Sequence, residues 1–142
     1  MISPAMIASL VFGACGLLAA AAVEFVLRSF AEEAGVNRWI FVAVPGLFAM
    51  LFALMLYQDA GRRIRKLGES ISRGILIALL TWMSFSLLAT WVWCSPHQIT
   101  QCFSHTLLAS AVVGGGPMLA AALIAGLLTG VMIIRPARKS VE

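Results

Sequence analysis

The polar residues of this chain are few and clustered, and the gaps between them have the length of a bilayer. Met1 to Val23 contains no Asp, Glu, Lys or Arg, and neither does the 20-residue stretch from Trp39 to Gln58. From Gly74 the chain stays uncharged for 61 residues, to Ile134. A hydrocarbon core about 30 Å thick takes about 20 helical residues to cross, so the long run must turn once. Its polar, turn-forming segment is Ser95 to His105, which includes Pro96, Gln98, Thr100 and Gln101. The pattern therefore predicts four spans, at about 5–27, 39–58, 74–94 and 106–134. Alternation of the kind that builds membrane barrels is missing, and open sheets do not survive in lipid. The expectation is an all-α, polytopic integral membrane protein, residues 1–142 forming one four-helix domain.

Composition sharpens this. Hydrophobic residues make up 61% of the chain and charged residues 11%, where soluble domains carry about a quarter. A soluble domain this small has too little interior for so much apolar surface. A soluble enzyme, a disordered tail and a secreted disulfide scaffold are excluded. Ala19 to Ala22 has the small residues of a signal-peptide cleavage site, but no basic residue precedes the full-length apolar run, so it reads as a retained helix.

Charge orients the spans. Arg62, Arg63, Arg65, Lys66 and Arg73 lie between the second and third, and Arg135, Arg138 and Lys139 lie in the tail. Together these are eight of the ten basic residues. The positive-inside rule puts both segments in the cytoplasm, with an N-in/C-in arrangement and loops 28–38 and 95–105 outside. The basic loop reads as a topology determinant facing anionic headgroups. It is short and has no interleaved aromatics, which argues against nucleic acid as a partner. A compact Ala/Gly/Leu-rich chain without a recognisable lipidation or sorting signal points to a bacterial inner membrane.

Cys94 and Cys102 fall on the predicted outer side, where thiols oxidise, and their short separation permits a disulfide. Cys15, mid-span, reads as a small packing residue. A quinone-linked disulfide oxidoreductase needs cysteine pairs that relay electrons; one wide pair and a lone Cys15 cannot form that relay. The Cys-x-x-His echo of Cys94/His97 and Cys102/His105 superficially suits zinc, but thiols in that compartment favour a staple, so neither metal nor cofactor is expected. Trp82, Trp91 and Trp93, with Trp39, read as an interfacial aromatic belt. Trp91-Val92-Trp93-Cys94 followed by Cys102 resembles the tryptophan and cysteine-pair signature of the claudin and peripheral-myelin four-helix proteins. Those carry it in the first outer loop rather than the second, and no function is carried over.

Glu24 is the acidic residue at lipid depth. Arg28, one turn on, can pair with it, and Gly16 and Ala20 share its face. A carboxylate there is either a coupling or substrate site or an interfacial ion pair. Gly114, Met118, Ala122, Gly126 and Gly130 recur every four residues along the last span, a stripe that lets a helix approach closely. Its partner is either the first span or another protomer. Gly114-Gly115-Gly116-Pro117 should break or kink the helix, and Pro45-Gly46 should bend the second span.

A constellation able to run catalysis is lacking. Two functions are expected from this pattern. In the first, a small non-enzymatic accessory or partner-binding protein, of immunity type for example, recognises another membrane protein or its own copy by helix packing and a stapled outer loop. The second is a homodimeric transporter of a small molecule or ion that uses Glu24. Four helices, an acidic residue in the first and glycines in the last resemble, in broad outline, the small multidrug resistance family. Glu24 lies nearer the end of its span than that resemblance implies, the loops are longer, and the charge bias fixes a single orientation.

Overall fold

The computed structural model describes residues 3–30, 39–58, 66–94 and 98–139, with side chains for 3–26, 42–58, 66–92, 94 and 98–133. These residues form four helices: α1 (Pro4–Phe30), α2 (Trp39–Gln58), α3 (Leu67–Trp93) and α4 (Ile99–Lys139). Three stretches, Pro4–Val26, Leu67–Val92 and Ile99–Ile133, are long and apolar enough to cross a membrane, and Val42–Gln58 is a shorter apolar helix. α1 and α3 begin where backbone N–H groups find an acceptor. Ser3 precedes Pro4, accepts the Met6 N–H at 3.3 Å on its hydroxyl and the Ile7 N–H at 3.1 Å on its carbonyl. Pro at the first helical position gives up an N–H that would have no intrahelical partner there. α3 starts after an extended Lys66, with Glu69 in its first turn against the positive helix end. It ends at Cys94, whose N–H donates to the Thr90 carbonyl at 3.0 Å.

Two helices outrun the predicted spans. α3 starts at Leu67 rather than at 74, taking Glu69, Ser70 and Arg73 from the basic segment into its first two turns. α4 starts at Ile99 rather than at 106, so most of the expected outer loop is helix. A helix needs apolar residues only where it meets lipid, so its ends run past the hydrophobic limits. At 1.5 Å per residue, α4 is about 60 Å long, twice the thickness of a bilayer core.

The expected break in α4 does not occur. The helix runs without interruption through Gly114-Gly115-Gly116-Pro117, and α2 does so through Pro45. No described glycine adopts a positive φ. Proline removes one helical hydrogen bond from each run, and the helix continues through it.

Each helix packs on two neighbours: α1 on α2 and α4, and α3 on α4 and α2. This ring leaves α1 and α3 on a diagonal. The core lies toward the end of the bundle where α1 begins and α2 ends. There Ala5, Ala8, Phe12, Ala49, Ala53, Tyr57, Ile77 and Ala125 are buried together. Most are alanines, because in lipid helices associate by close backbone approach rather than by hiding large apolar groups from water. Large side chains such as Leu18, Phe25, Leu47, Leu108 and Val112 point outward.

Candidate functional site

Glycine and alanine produce two tight seams. Between α1 and α2, a Cβ on Gly16 would stand 3.4 Å from the Gly46 Cα and 3.3 Å from the Ala49 Cβ. Ser9 donates across this seam to the Met50 carbonyl at 3.1 Å. Between α3 and α4, a Cβ on Gly74 would come within 2.7 Å of the Ala122 carbonyl oxygen, and one on Gly126 within 3.1 Å of the Ser70 carbonyl oxygen and the Ile71 Cα. Gly130 meets Leu67 and Ser70. The partner of the α4 stripe is thus α3 of the same chain. Gly114 takes no part in that contact; a Cβ there, or on Gly115 or Gly116, would meet nothing within 4 Å.

A buried polar knot ties this end of the bundle. Ser70 Oγ donates to the Gly126 carbonyl at 2.8 Å. That uses its one hydrogen, so Tyr57 donates to Ser70 Oγ at 3.0 Å. Phe12 packs on the Tyr57 ring, with centroids 6.1 Å apart. Arg73 lies over the same ring, its guanidinium carbon 5.7 Å from the centroid. Three helices are thereby held by one tyrosine and one serine.

Toward the other end the ring opens. A cavity of about 450 Å³ lies among the four helices and is overwhelmingly apolar. Small side chains explain it: α1 presents Cys15, Gly16, Ala19 and Ala20, α3 presents Ala78 and Ala89, and α4 presents Ala109, Gly114, Ala121 and Ala122, and none is large enough to fill the space. Phe12 crosses below it, close to Gly74, and is buried. Trp82 and Phe85 supply aromatic wall. The indole N–H of Trp82 donates to Ser110 Oγ at 2.8 Å, which joins α3 to α4. This tryptophan belongs to the interior of the bundle, in contrast to the belt position expected of it. Trp91 is exposed as a belt residue would be.

Polar residues lining this cavity are few: Glu24, Thr81, Thr106 and Ser110. Glu24 lines it from α1, half-buried. Thr81 lines it from α3, is 4% exposed, and its hydroxyl has no hydrogen-bond partner. Glu24 lies twelve residues beyond Phe12, about 18 Å along α1. Thr81 lies seven beyond Gly74, about 10 Å along α3. Glu24 and Thr81 therefore line the cavity at different levels along their helices.

Cys94 and Cys102 form a disulfide between the end of α3 and the first turn of α4, with Cα atoms 6.4 Å apart. Cys15 is a free thiol on the cavity wall. Among the described residues no group of three His, Cys, Asp or Glu could hold a metal ion. His105 is exposed. His97 and Arg62, Arg63 and Arg65 lie outside the described residues, as does the side chain of Arg28. Sequence reasoning missed Thr81, whose only signal was a hydroxyl amid apolar residues, and missed Tyr57 and Ser70 because their pairing is a tertiary contact.

No family model matches this chain, and neither a curated protein nor a solved structure is detectably similar to it.

Proposed function

We propose that this chain is a non-enzymatic integral membrane protein that binds and moves a small amphipathic cation, with Glu24 as its charged contact. The observation that carries this reading is a carboxylate lining a 450 Å³ apolar cavity between helices. Cavities of roughly 300–1,000 Å³ with few polar groups are the usual form of small-molecule sites. The aromatic wall of Trp82 and Phe85 suits a cation with an apolar body. The basic segment between α2 and α3 supports an N-in/C-in orientation, with the disulfide on the outer side, in a bacterial inner membrane. The test is binding of (4-phenylbutyl)trimethylammonium to protein in lipid nanodiscs, followed by Trp82 fluorescence, together with its uptake into proteoliposomes. Glu24→Gln should weaken binding at least tenfold and abolish uptake. Equal binding by wild type and Glu24→Gln would overturn the reading.

A second reading, an accessory subunit that recognises another membrane protein or its own copy, is favoured by the disulfide. The staple presents the exposed Gln98, Gln101, Ser104 and His105 of the α4 start in one arrangement. A different polypeptide reproducibly retained in the intact complex in mild detergent, and lost on Gln101→Arg, would support it.

A further inference from the structure

The lining of the cavity is periodic. Its residues keep to one face of each helix, from Phe12 to Glu24 on α1, from Gly74 to Ala89 on α3 and from Thr106 to Ala122 on α4. At 1.5 Å per residue these stripes are about 18, 22 and 24 Å long. α2 adds Pro45 and Ala49 alone. A volume of about 450 Å³ drawn out over such a length has a cross-section of about 20 Å². Apolar groups in contact stand about 4.5 Å apart, so the bore admits one extended hydrocarbon chain and excludes two side by side.

The inner limit is shared by all four helices. Phe12, Ala49, Gly74 and Ala122 are the last lining residues, and Ala8, Ala53 and Tyr57 are buried in the core just beyond them. Phe12 is the largest of the four. Its ring reaches from α1 toward α3, with Cζ 3.4 Å from where a Cβ on Gly74 would stand. Inward of Glu24 the walls are hydrocarbon in character. The Thr81 hydroxyl is buried. Ser110 Oγ is engaged by the Trp82 indole and the Leu107 carbonyl. Thr106 lies at the outer end of its stripe, and the Cys15 thiol packs as a small apolar group.

We infer that the ligand of this cavity is a cation carrying one unbranched alkyl chain, and that Phe12, as the floor, sets the longest chain it takes. The inference rests on the reading of the cavity proposed above. Glu24 holds the cation and the chain runs inward along the stripes of α1, α3 and α4. Glu24 and Phe12 are about 18 Å apart along α1, and apolar contact with the ring takes up about 4 Å of that. An extended chain with bonds of about 1.5 Å advances about 1.25 Å per carbon, so about eleven carbons fit. Each methylene up to that limit exchanges water for an apolar wall and should tighten binding about fourfold. A longer chain meets Phe12 and the close-packed core behind it, and gains nothing more.

The test is a series of alkyltrimethylammonium ions, from hexyl to hexadecyl in steps of two carbons. Each is dialysed to equilibrium against the full chain in lipid nanodiscs, below its micellar concentration, with partitioning into empty nanodiscs subtracted. Wild-type affinity should climb to decyl or dodecyl and then level. Phe12→Ala, which lowers the floor by the depth of a ring, should move the limit out by about two to four carbons. Ala19→Leu, which puts a larger side chain on the cavity wall five residues from Glu24, should end the climb by octyl. A merely structural role for Phe12 would not make these two variants shift the limit in opposite directions. Phe12→Ala also empties part of the core, so if it does not fold, Ala19→Leu decides alone. A climb that continues through hexadecyl in wild type, or a limit that the folded variants leave in place, overturns the inference about Phe12; the cation reading then stands on the loss of binding in Glu24→Gln. If neither these ions nor (4-phenylbutyl)trimethylammonium binds wild type above empty nanodiscs, both fall.

Discussion

The two ends of the bundle are made from similar residues and do opposite things. At one end glycines and alanines meet across helices that are sequence neighbours, so that backbones touch: Gly16 against Gly46, and Gly126 against Ser70 and Ile71. At the other end small residues of α1, α3 and α4, Ala19, Ala20, Ala78, Ala89 and Ala109 among them, line a cavity. Small side chains therefore close a seam or open a space according to how near the opposing helix comes. At the closed end the Tyr57–Ser70–Gly126 knot also ties α2, α3 and α4 together. At the open end the hydrogen bonds run along the α3–α4 face, from Trp82 to Ser110 with Ser86 nearby, and leave α1 uncommitted to α3.

The largest expected effect breaks the closed end alone. Gly126→Leu places a side chain where even a Cβ meets Ser70 and Ile71 backbone at 3.1 Å. It should cost about 3 kcal/mol or more, at the upper end for overpacking, and lower the melt by many degrees. Gly115→Leu, where a Cβ meets nothing within 4 Å, should leave the melt within about 0.5 kcal/mol of wild type, as open sites do. If the two variants melt alike, the contrast between seam and open face is wrong.

Next comes the staple. Reducing Cys94–Cys102, or replacing both by serine, should lower stability by about 2 kcal/mol, as expected for closing so short a loop. Because Ala89 and Thr106 line the cavity close in sequence to the two cysteines, reduction should also loosen the open end first. Hydrogen exchange should rise around residues 86–94 and 99–106 before it rises around residues 66–74. Uniform exchange along α3 would contradict this order. Thiol labelling of the oxidised protein should modify Cys15 alone.

The smallest effect sharpens the description of the knot. Ser70→Ala removes the donor to Gly126 and the acceptor for Tyr57, and should cost about 1–2 kcal/mol. Tyr57→Phe removes one bond and should cost about 0.6 kcal/mol, the average found for bonds between membrane helices. The double variant should cost little more than Ser70→Ala alone, since only the long 3.5 Å contact of Tyr57 to the Ser70 carbonyl survives there. Full additivity in this cycle would show that the two hydroxyls act independently.

Much of the fold could be read from the chain because lipid imposes a length on apolar segments. The uncharged runs located all four helices, and Cys94 and Cys102 announced their pairing by spacing. The helix ends could not be read the same way. α3 takes in Glu69 and Arg73, and α4 takes in Thr100 and Gln101, because polar residues outside the hydrocarbon still form helix. Pro117 and three glycines suggested a break that the intact helix does not show. Glu24 stood out as a charge in an apolar run, whereas Thr81 did not, since a hydroxyl can satisfy itself on its own helix and only its surroundings reveal that it does not.

The sequence by itself determined that there would be four apolar helices, with basic residues gathered between the second and third and in the tail, two cysteines close enough to bridge and one carboxylate at the end of a long apolar run. These follow from local chemistry: charge is excluded from hydrocarbon, and a helix has a fixed rise per residue. Only the tertiary structure decided which helix each glycine would touch, and that Tyr57 and Ser70 would tie three helices together. It also decided that Glu24 and Thr81 would line one cavity rather than face lipid. Those outcomes depend on the azimuth and order of helices around the ring, and no single helix encodes the position of its neighbour.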